Sequence, residues 1–167
     1  MWSQKNPPQS SRREKTFDDL LLEVARRVPS FGGMYSDAEG HLFVYLLDPD
    51  ARAEAEAAIV SVFGRETIPV EGIRVVRGQY RFLDLKAWHD RLTAILLDTP
   101  GVVLTDVDEA RNRVLIGTMT GDPPARLDAI LKKHAIPREA IIVEKVEPIG
   151  PLRRGRPVKR PRNIASG

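Results

Sequence analysis

The side chains that could carry acid–base or metal chemistry are scattered along this sequence rather than gathered. The three histidines, His41, His89 and His134, are expected at a strand start, within a helix and at a helix end. None has HExxH-type spacing, and catalysis or metal binding requires a histidine to converge with carboxylates or a nucleophile. We therefore interpret the histidines as structural residues and predict that the chain is not an enzyme.

The carboxylates also have structural explanations. Three are predicted helix caps, namely Asp48, Asp84 and Asp122, and two belong to predicted turns, Asp37 and Asp108. The run 106–109, Asp-Val-Asp-Glu, lacks most of the ligand positions of a calcium loop. The chain has no cysteine, so thiolate ligands and nucleophiles are excluded, and its glycines form neither a GxGxxG motif nor a P-loop. No metal and no cofactor are predicted.

The charge is divided sharply along the chain. The net charge of +3 is the balance of +3 in residues 1–15, +6 in residues 151–167 and −6 in the span between them. An acidic body with basic ends makes the body itself a poor nucleic-acid binder. There is no apolar run approaching the roughly 20 residues that span a bilayer. Residues 1–15 contain no apolar stretch of signal-peptide type, which predicts either a cytoplasmic chain or one whose export signal has been removed.

The basic tail is the sharpest local signal in the sequence. Its RGRP run with flanking bases resembles an AT-hook, a short peptide that lies in the minor groove of A/T-rich DNA. The candidate DNA-binding residues are Arg153, Arg154, Arg156, Lys159, Arg160 and Arg162. A solvated basic linker explains the same residues equally well, so both interpretations stay open.

The middle of the chain repeats itself once. Pro29 and Asp37 recur at a shift of 71 as Pro100 and Asp108, and Asp48-Pro49 recurs at a shift of 74 as Asp122-Pro123. Each copy predicts a helix, two strands joined by a turn, a helix and a last strand parallel to the second. The expected fold is α+β, with two αββαβ lobes that each hold a three-stranded mixed sheet covered by helices.

The predicted boundaries follow from the same pattern. They are a flexible arm at 1–15, a first lobe at 16–81, a second lobe at 82–149 and a disordered tail at 150–167. Thr16 is expected to cap the first helix, and the helix of the second copy is expected to bury Leu85, Trp88, Leu92 and Ile95. Each small sheet leaves edge strands whose backbone groups lack partners, and adding a partner's strand to such an edge is a common recognition mode.

Three stretches carry a resemblance to a known family. They are Phe31-Gly32-Gly33, the run DAEGHLFVYLLDP at 37–49 and the run DEARNRVLI at 108–116, where Asp108, Asn112 and Val114 match a recurrent hairpin. With them, residues 17–148 resemble the pro-domain of secreted bacterial chymotrypsin-like serine proteases of the alpha-lytic protease and streptogrisin type. The sequence at 163–167, Asn-Ile-Ala-Ser-Gly, is similar to the start of a mature protease of that class, whereas the basic tail is not a feature of the family.

The resemblance implies a non-catalytic role. Such pro-domains act as inhibitors and folding chaperones of a trypsin-like protease: a sheet edge of the C-terminal lobe pairs with the protease, and the following tail lies in its substrate cleft. Carried onto this chain, the edge and tail residues would be Ile141, Val143, Lys145, Glu147, Pro148 and Leu152. The resemblance also implies an extracellular or cell-envelope location. DNA binding through the tail is the alternative.

Overall fold

The computed structural model describes residues 13–148. Within that range the chain forms four α-helices and six strands, in the order α1 Phe17–Arg27, β1 Phe31–Ser36, β2 Leu42–Leu46, α2 Arg52–Phe63, β3 Ile73–Arg77, α3 Phe82–Leu96, β4 Val102–Asp108, β5 Arg113–Thr118, α4 Leu127–Lys133 and β6 Ile141–Lys145. The predicted α+β class is confirmed. Residues 1–12 of the predicted arm and the whole predicted tail, residues 150–167, lie outside the described residues.

The strands form two separate mixed sheets of the predicted kind. The first has the order β1-β2-β3 and the second the order β4-β5-β6. In each sheet the central strand is antiparallel to the strand before it and parallel to the strand after it. The helical crossover between second and third strands produces the parallel pair, as expected of a βαβ connection.

The two copies match in register as well as in order. Each first strand has an irregularity at its start, between Phe31 and Gly33 in one sheet and between Val102 and Leu104 in the other. Leu42 is opposite Ile73 in the first sheet. Val114 is opposite Ile141 in the second. The repeat is therefore structural, and positions in one lobe can be compared with positions in the other.

Helix starts explain where the sequence predictions hold and where they are wrong. Thr16 does cap α1: its hydroxyl accepts from the Asp19 N–H, and the Asp19 carboxylate accepts from the Thr16 N–H. Asp84 is not a cap, because α3 begins earlier, at Phe82. Its carboxylate instead pairs with Arg81, 2.8 Å from Nε.

The prediction that Asp122 caps a helix was also wrong. Asp48 caps a short 3₁₀ turn, Pro49–Ala51, that runs into α2, whereas α4 begins only at Leu127, after Arg126 in the left-handed conformation. Asp122 therefore caps no helix. The prediction for Ile95 was wrong too: its side chain is 37% exposed and Leu96 takes the buried place, because the core-facing row of α3 runs Phe82, Leu85, Leu92, Leu96.

One buried side chain, Asn112, forms a polar contact between the lobes. It lies at the tip of the β4–β5 hairpin with a φ of 54° and is 1% exposed. Its amide Nδ2 donates to the Gly32 carbonyl at 2.9 Å and to the Tyr80 carbonyl at 2.8 Å. Its Oδ1 accepts from the backbone N–H groups of Gln79 and Tyr80, both at 2.9 Å. All four hydrogen-bonding positions of the amide group are thus occupied by backbone of the first lobe.

Glycine at position 32 makes this approach possible. A Cβ atom there would lie 2.9 Å from both Asn112 Nδ2 and the Tyr80 carbonyl oxygen. Flanking contacts extend the joint: the Tyr45 hydroxyl donates to the Ala110 carbonyl at 2.9 Å, and the rings of Phe31 and Phe82 lie 6.1 Å apart. The two lobes therefore meet over a packed interface that has a polar lock at one place.

None of the helices within residues 13–148 combines the length and the apolar character that crossing a membrane requires.

Replacing Asn112 should show how much its four hydrogen bonds contribute to the free energy of unfolding, apart from the effect of the left-handed turn. We expect Asn112→Gly to lower the free energy of unfolding by about 2–4 kcal/mol, because glycine keeps the left-handed turn but removes four hydrogen bonds from buried groups. The control is Gly40→Asn at the corresponding turn of the first lobe, where an added Cβ meets nothing within 4 Å. It should cost no more than about 1 kcal/mol. Urea unfolding of both variants measures this, and equal losses would contradict the role of the lock.

Candidate protein-binding site at the edge of the second sheet

Strand β6 forms one edge of the second sheet. It pairs with β5 alone, in parallel register from Val114 opposite Ile141 to Thr118 opposite Lys145. No strand within residues 13–148 lies against its other side. An edge strand of this kind offers a row of backbone donors and acceptors to another polypeptide.

The direction of each backbone group along β6 follows from one hydrogen bond. The Val146 N–H donates to the Thr118 carbonyl at 2.8 Å, so Val146 faces β5. Because successive residues of a strand direct their backbone groups to opposite sides, Ile142 and Glu144 face β5 as well. The outward set is therefore Ile141, Val143, Lys145 and Glu147. These are the four edge residues that the sequence analysis assigned to partner binding.

An arginine limits the part of this edge that is open. Arg138 Nη1 donates to the Ile141 carbonyl at 3.0 Å, and its Nε lies 3.5 Å from Asp128 Oδ1 on α4. The first lobe has the same kind of hydrogen bond, since Arg52 Nη2 donates to the Ile73 carbonyl at 2.9 Å. Sequence reasoning missed Arg138, because nothing local marks an arginine that reaches past a turn to a carbonyl. The open stretch of the edge thus begins at Val143.

The side chains of β6 anchor the strand from both faces of the sheet. Ile141 is buried at 4% exposure and Val143 packs against the core. On the other face Glu144 forms an ion pair with Arg111, which also pairs with Asp108 at 2.6 Å. The hydrogen bonds from Arg111 hold the pKa of Glu144 below its usual range. Arg111 lies next to Asn112, so this ion pair ties the edge strand to the hairpin tip that joins the lobes.

The remaining predicted site residues divide between described and undescribed parts of the chain. Glu147 and Pro148 follow β6 and are exposed. Leu152 and the six basic residues of the proposed DNA-binding tail lie beyond residue 148, outside the described residues. The structure therefore describes the strand part of the predicted partner site and not the tail part.

The histidines lie apart, each with local contacts. His41 Nδ1 lies 2.8 Å from Asp37 Oδ2. His89 Nε2 lies 3.3 Å from the Thr105 carbonyl, and His134 ends α4. Ligand atoms of Asp37, Glu39 and His41 come within 4.8 Å of one another. The other Asp37 oxygen accepts the backbone N–H groups of Glu39 and His41, so the geometry is that of a hairpin turn.

A cavity of about 210 Å³ lies at the end of the second sheet. Its lining residues are Pro100, Gly101, Val102, Thr118, Thr120, Asp122, Pro123, Pro124 and Ala125. Asp122 is the one titratable group of this lining. A single carboxylate does not supply the paired acid and base, or nucleophile and base, that a catalytic cavity needs.

Hydrogen exchange should reveal the alternation along β6 directly. We expect the amides of Ile142, Glu144 and Val146, which donate to β5, to exchange at least about tenfold more slowly than those of Val143 and Lys145, which point outward. The internal control is β3, where the Gly78 N–H donates to the Leu46 carbonyl and the same alternation follows. Measurement by NMR at residue resolution tests it, and uniform protection along β6 would show that its outer side is covered.

Comparison of the chain with models of known protein families and with curated proteins finds no match. A functional assignment therefore rests on the residues and geometry described above.

Proposed function

We propose that the chain is a non-catalytic binding module that adds the strand of a trypsin-like serine protease to the outer edge of β6, and so acts as its inhibitor, its folding chaperone or both. The observation that carries the proposal is the outward row of backbone groups at Val143, Lys145 and Glu147. The resemblance to serine-protease pro-domains supplies the class of partner. It also favours an extracellular or cell-envelope location for the proposed action.

Strand addition at this edge would rest on backbone hydrogen bonds. Each outward residue offers one N–H and one carbonyl, and each bond formed in the complex contributes about 1 kcal/mol net. The carbonyl of Ile141 is already bonded to Arg138. An added strand would therefore align with residues 143–147, and Arg138 would mark the start of that alignment.

Rigidity of the edge favours both proposed activities. A preformed partner loses less conformational entropy on binding than a mobile one. Here β6 is held by β5, by the buried Ile141 and by the ion pair of Glu144 with Arg111. Proteases rich in non-local strand pairing fold slowly, and a fixed edge that templates one of their strands would lower that barrier.

The chain after β6 suits the inhibitory part of the proposal. Glu147 and Pro148 are exposed and lead directly from the edge strand into the segment that ends at Leu152. Because strand and segment are continuous, a protease paired with β6 would have that segment at high effective concentration near its surface. The substrate cleft is the place that the family resemblance assigns to it.

A competing proposal is binding of A/T-rich DNA through residues 151–167. The RGRP run and the local charge of +6 favour it, and sequence-independent attraction to phosphates would follow from that charge alone. The two proposals use different parts of the chain, so deletion of the tail distinguishes them.

A proline at the edge should abolish strand addition without destroying the sheet. Val143→Pro removes an outward N–H and places a ring at the edge, while every bond from β6 to β5 is kept. The matched control is Val75→Pro, the same change at the corresponding outward position of β3. With alpha-lytic protease as the probe, we expect the wild-type chain and Val75→Pro to inhibit the enzyme and to raise its refolding yield, and Val143→Pro to weaken inhibition at least about tenfold.

Two outcomes of that experiment would count against the proposal. If the wild-type chain at stoichiometric amounts changes neither protease activity nor refolding yield, the proposed function fails. If Val143→Pro acts like the wild type while Val75→Pro does not, the interaction uses the first sheet and not β6.

Deletion of residues 151–167 tests the competing proposal. If the tail binds DNA, an electrophoretic shift of an A/T-rich duplex by the full chain disappears in the truncated chain and weakens steeply with added salt. A shift that survives the deletion would exclude the tail as the cause. A G/C-rich duplex of equal length controls for non-specific attraction.

A further inference from the structure

The half-buried Glu109 side chain lies in the joint between the lobes. A Cβ atom on Gly33 of β1 would lie 3.6 Å from Glu109 Cβ and Cγ, and 3.7 Å from the ring of Phe82 on α3. Glu109 therefore packs against Gly33 of the opposite lobe, at a place that the Phe82 ring also approaches. It is three residues from the Asn112 lock, on the same hairpin tip.

The charged groups around Glu109 are mostly acidic. Asp18 approaches from α1, and Asp106 and Asp108 from the end of β4 just before Glu109, and each of them disfavours a negative charge on Glu109. Two cations of the adjoining elements, Lys86 and Arg111, already have partners. Lys86 of α3 lies 2.7 Å from Asp90 and 3.4 Å from Asp18.

Arg111, on the same tip, is likewise engaged, by Asp108 and Glu144. Within residues 13–148 no salt bridge to Glu109 is formed. A carboxylate at this place thus bears the cost of partial burial and of like charges without a compensating cation.

We propose that Glu109 makes the docking of the two lobes depend on pH, with the joint held most firmly when its carboxyl group is protonated. Ionisation would place an uncompensated negative charge between α1 of the first lobe and β4 of the second. The Asn112 lock is carried by the same tip and would be loosened with it. This inference does not depend on the proposed protease partner.

The direction of the effect follows from proton linkage. Burial, and then the neighbouring carboxylates, raise the pKa of Glu109 from 4.5 to about 7. A group with a higher pKa in the folded than in the unfolded chain stabilises the fold fully below the unfolded value. That contribution is lost as pH rises through the folded value. The window of the expected change therefore runs from about pH 5 to pH 8.

Urea unfolding of the full chain across that window tests the proposal. The whole shift corresponds to roughly 300-fold in the folding equilibrium constant, and partial exposure of the carboxyl group reduces it. Between pH 5 and pH 8 we expect the folding equilibrium constant of the wild type to fall at least about tenfold relative to that of Glu109→Gln. Glu54→Gln, at an exposed position of α2, should follow the wild type. Every other titratable group is shared by the wild type and Glu109→Gln, so the difference between these two isolates Glu109.

Two further measurements keep the test decisive if Glu109→Gln folds poorly. In the wild type, the Glu109 carboxyl carbon should titrate near pH 7 by NMR, and Asp18→Asn should move this midpoint to lower pH by removing a like charge. The Asn112 side-chain amide protons should exchange faster above that midpoint. A Glu109 midpoint near 4.5, or identical pH dependence of the wild type and Glu109→Gln, would overturn the proposal.

Discussion

Burial of the Asn112 amide group in backbone of the other lobe is the constraint on which the architecture depends. Each three-stranded sheet with its helices is a small unit, and small units bury too little apolar surface to be strongly stable alone. The joint adds apolar contacts such as Phe31 against Phe82. The amide adds specificity, because its four bonds are satisfied in one relative position of the lobes and a displaced lobe would leave buried groups unpaired.

Comparison of the two copies shows why the molecule has one such joint and not two. The corresponding turn position in the first lobe holds Gly40, which has open space around it. In the second lobe Val103 stands where the first has Gly32, and Pro148 stands where the first has Tyr80. Proline has no N–H that could replace the one that Tyr80 donates to Asn112. A valine side chain would fill the space that the asparagine amide needs. The second lobe therefore lacks a corresponding socket, although β3 and β6 are both edge strands of their sheets.

Order and type of the elements could be predicted from local sequence, but the joint could not. Capping by Thr16 is a local effect, and the alternation of β6 has a fixed period of two. Asp84 and Asp122 fit caps by sequence, yet α3 starts earlier and α4 starts after Arg126 in a left-handed conformation. The Asn112 bond to Gly32 spans 80 residues. A local sequence pattern does not predict a contact between residues so far apart. The contact of Arg138 with the β6 edge could not be predicted for the same reason.

The six residues 108–113 connect three properties of the molecule. Asn112 fixes the lobes, the Glu109 side chain faces Gly33 of the first lobe, and Arg111 holds Glu144 of β6. A partner strand that immobilises β6 would restrict the tip through Arg111, and a change that frees the tip would loosen β6. Coupling between two such sites is reciprocal in free energy. A strand that adds to the edge as proposed would therefore bind with an affinity that depends on how firmly the lobes are docked.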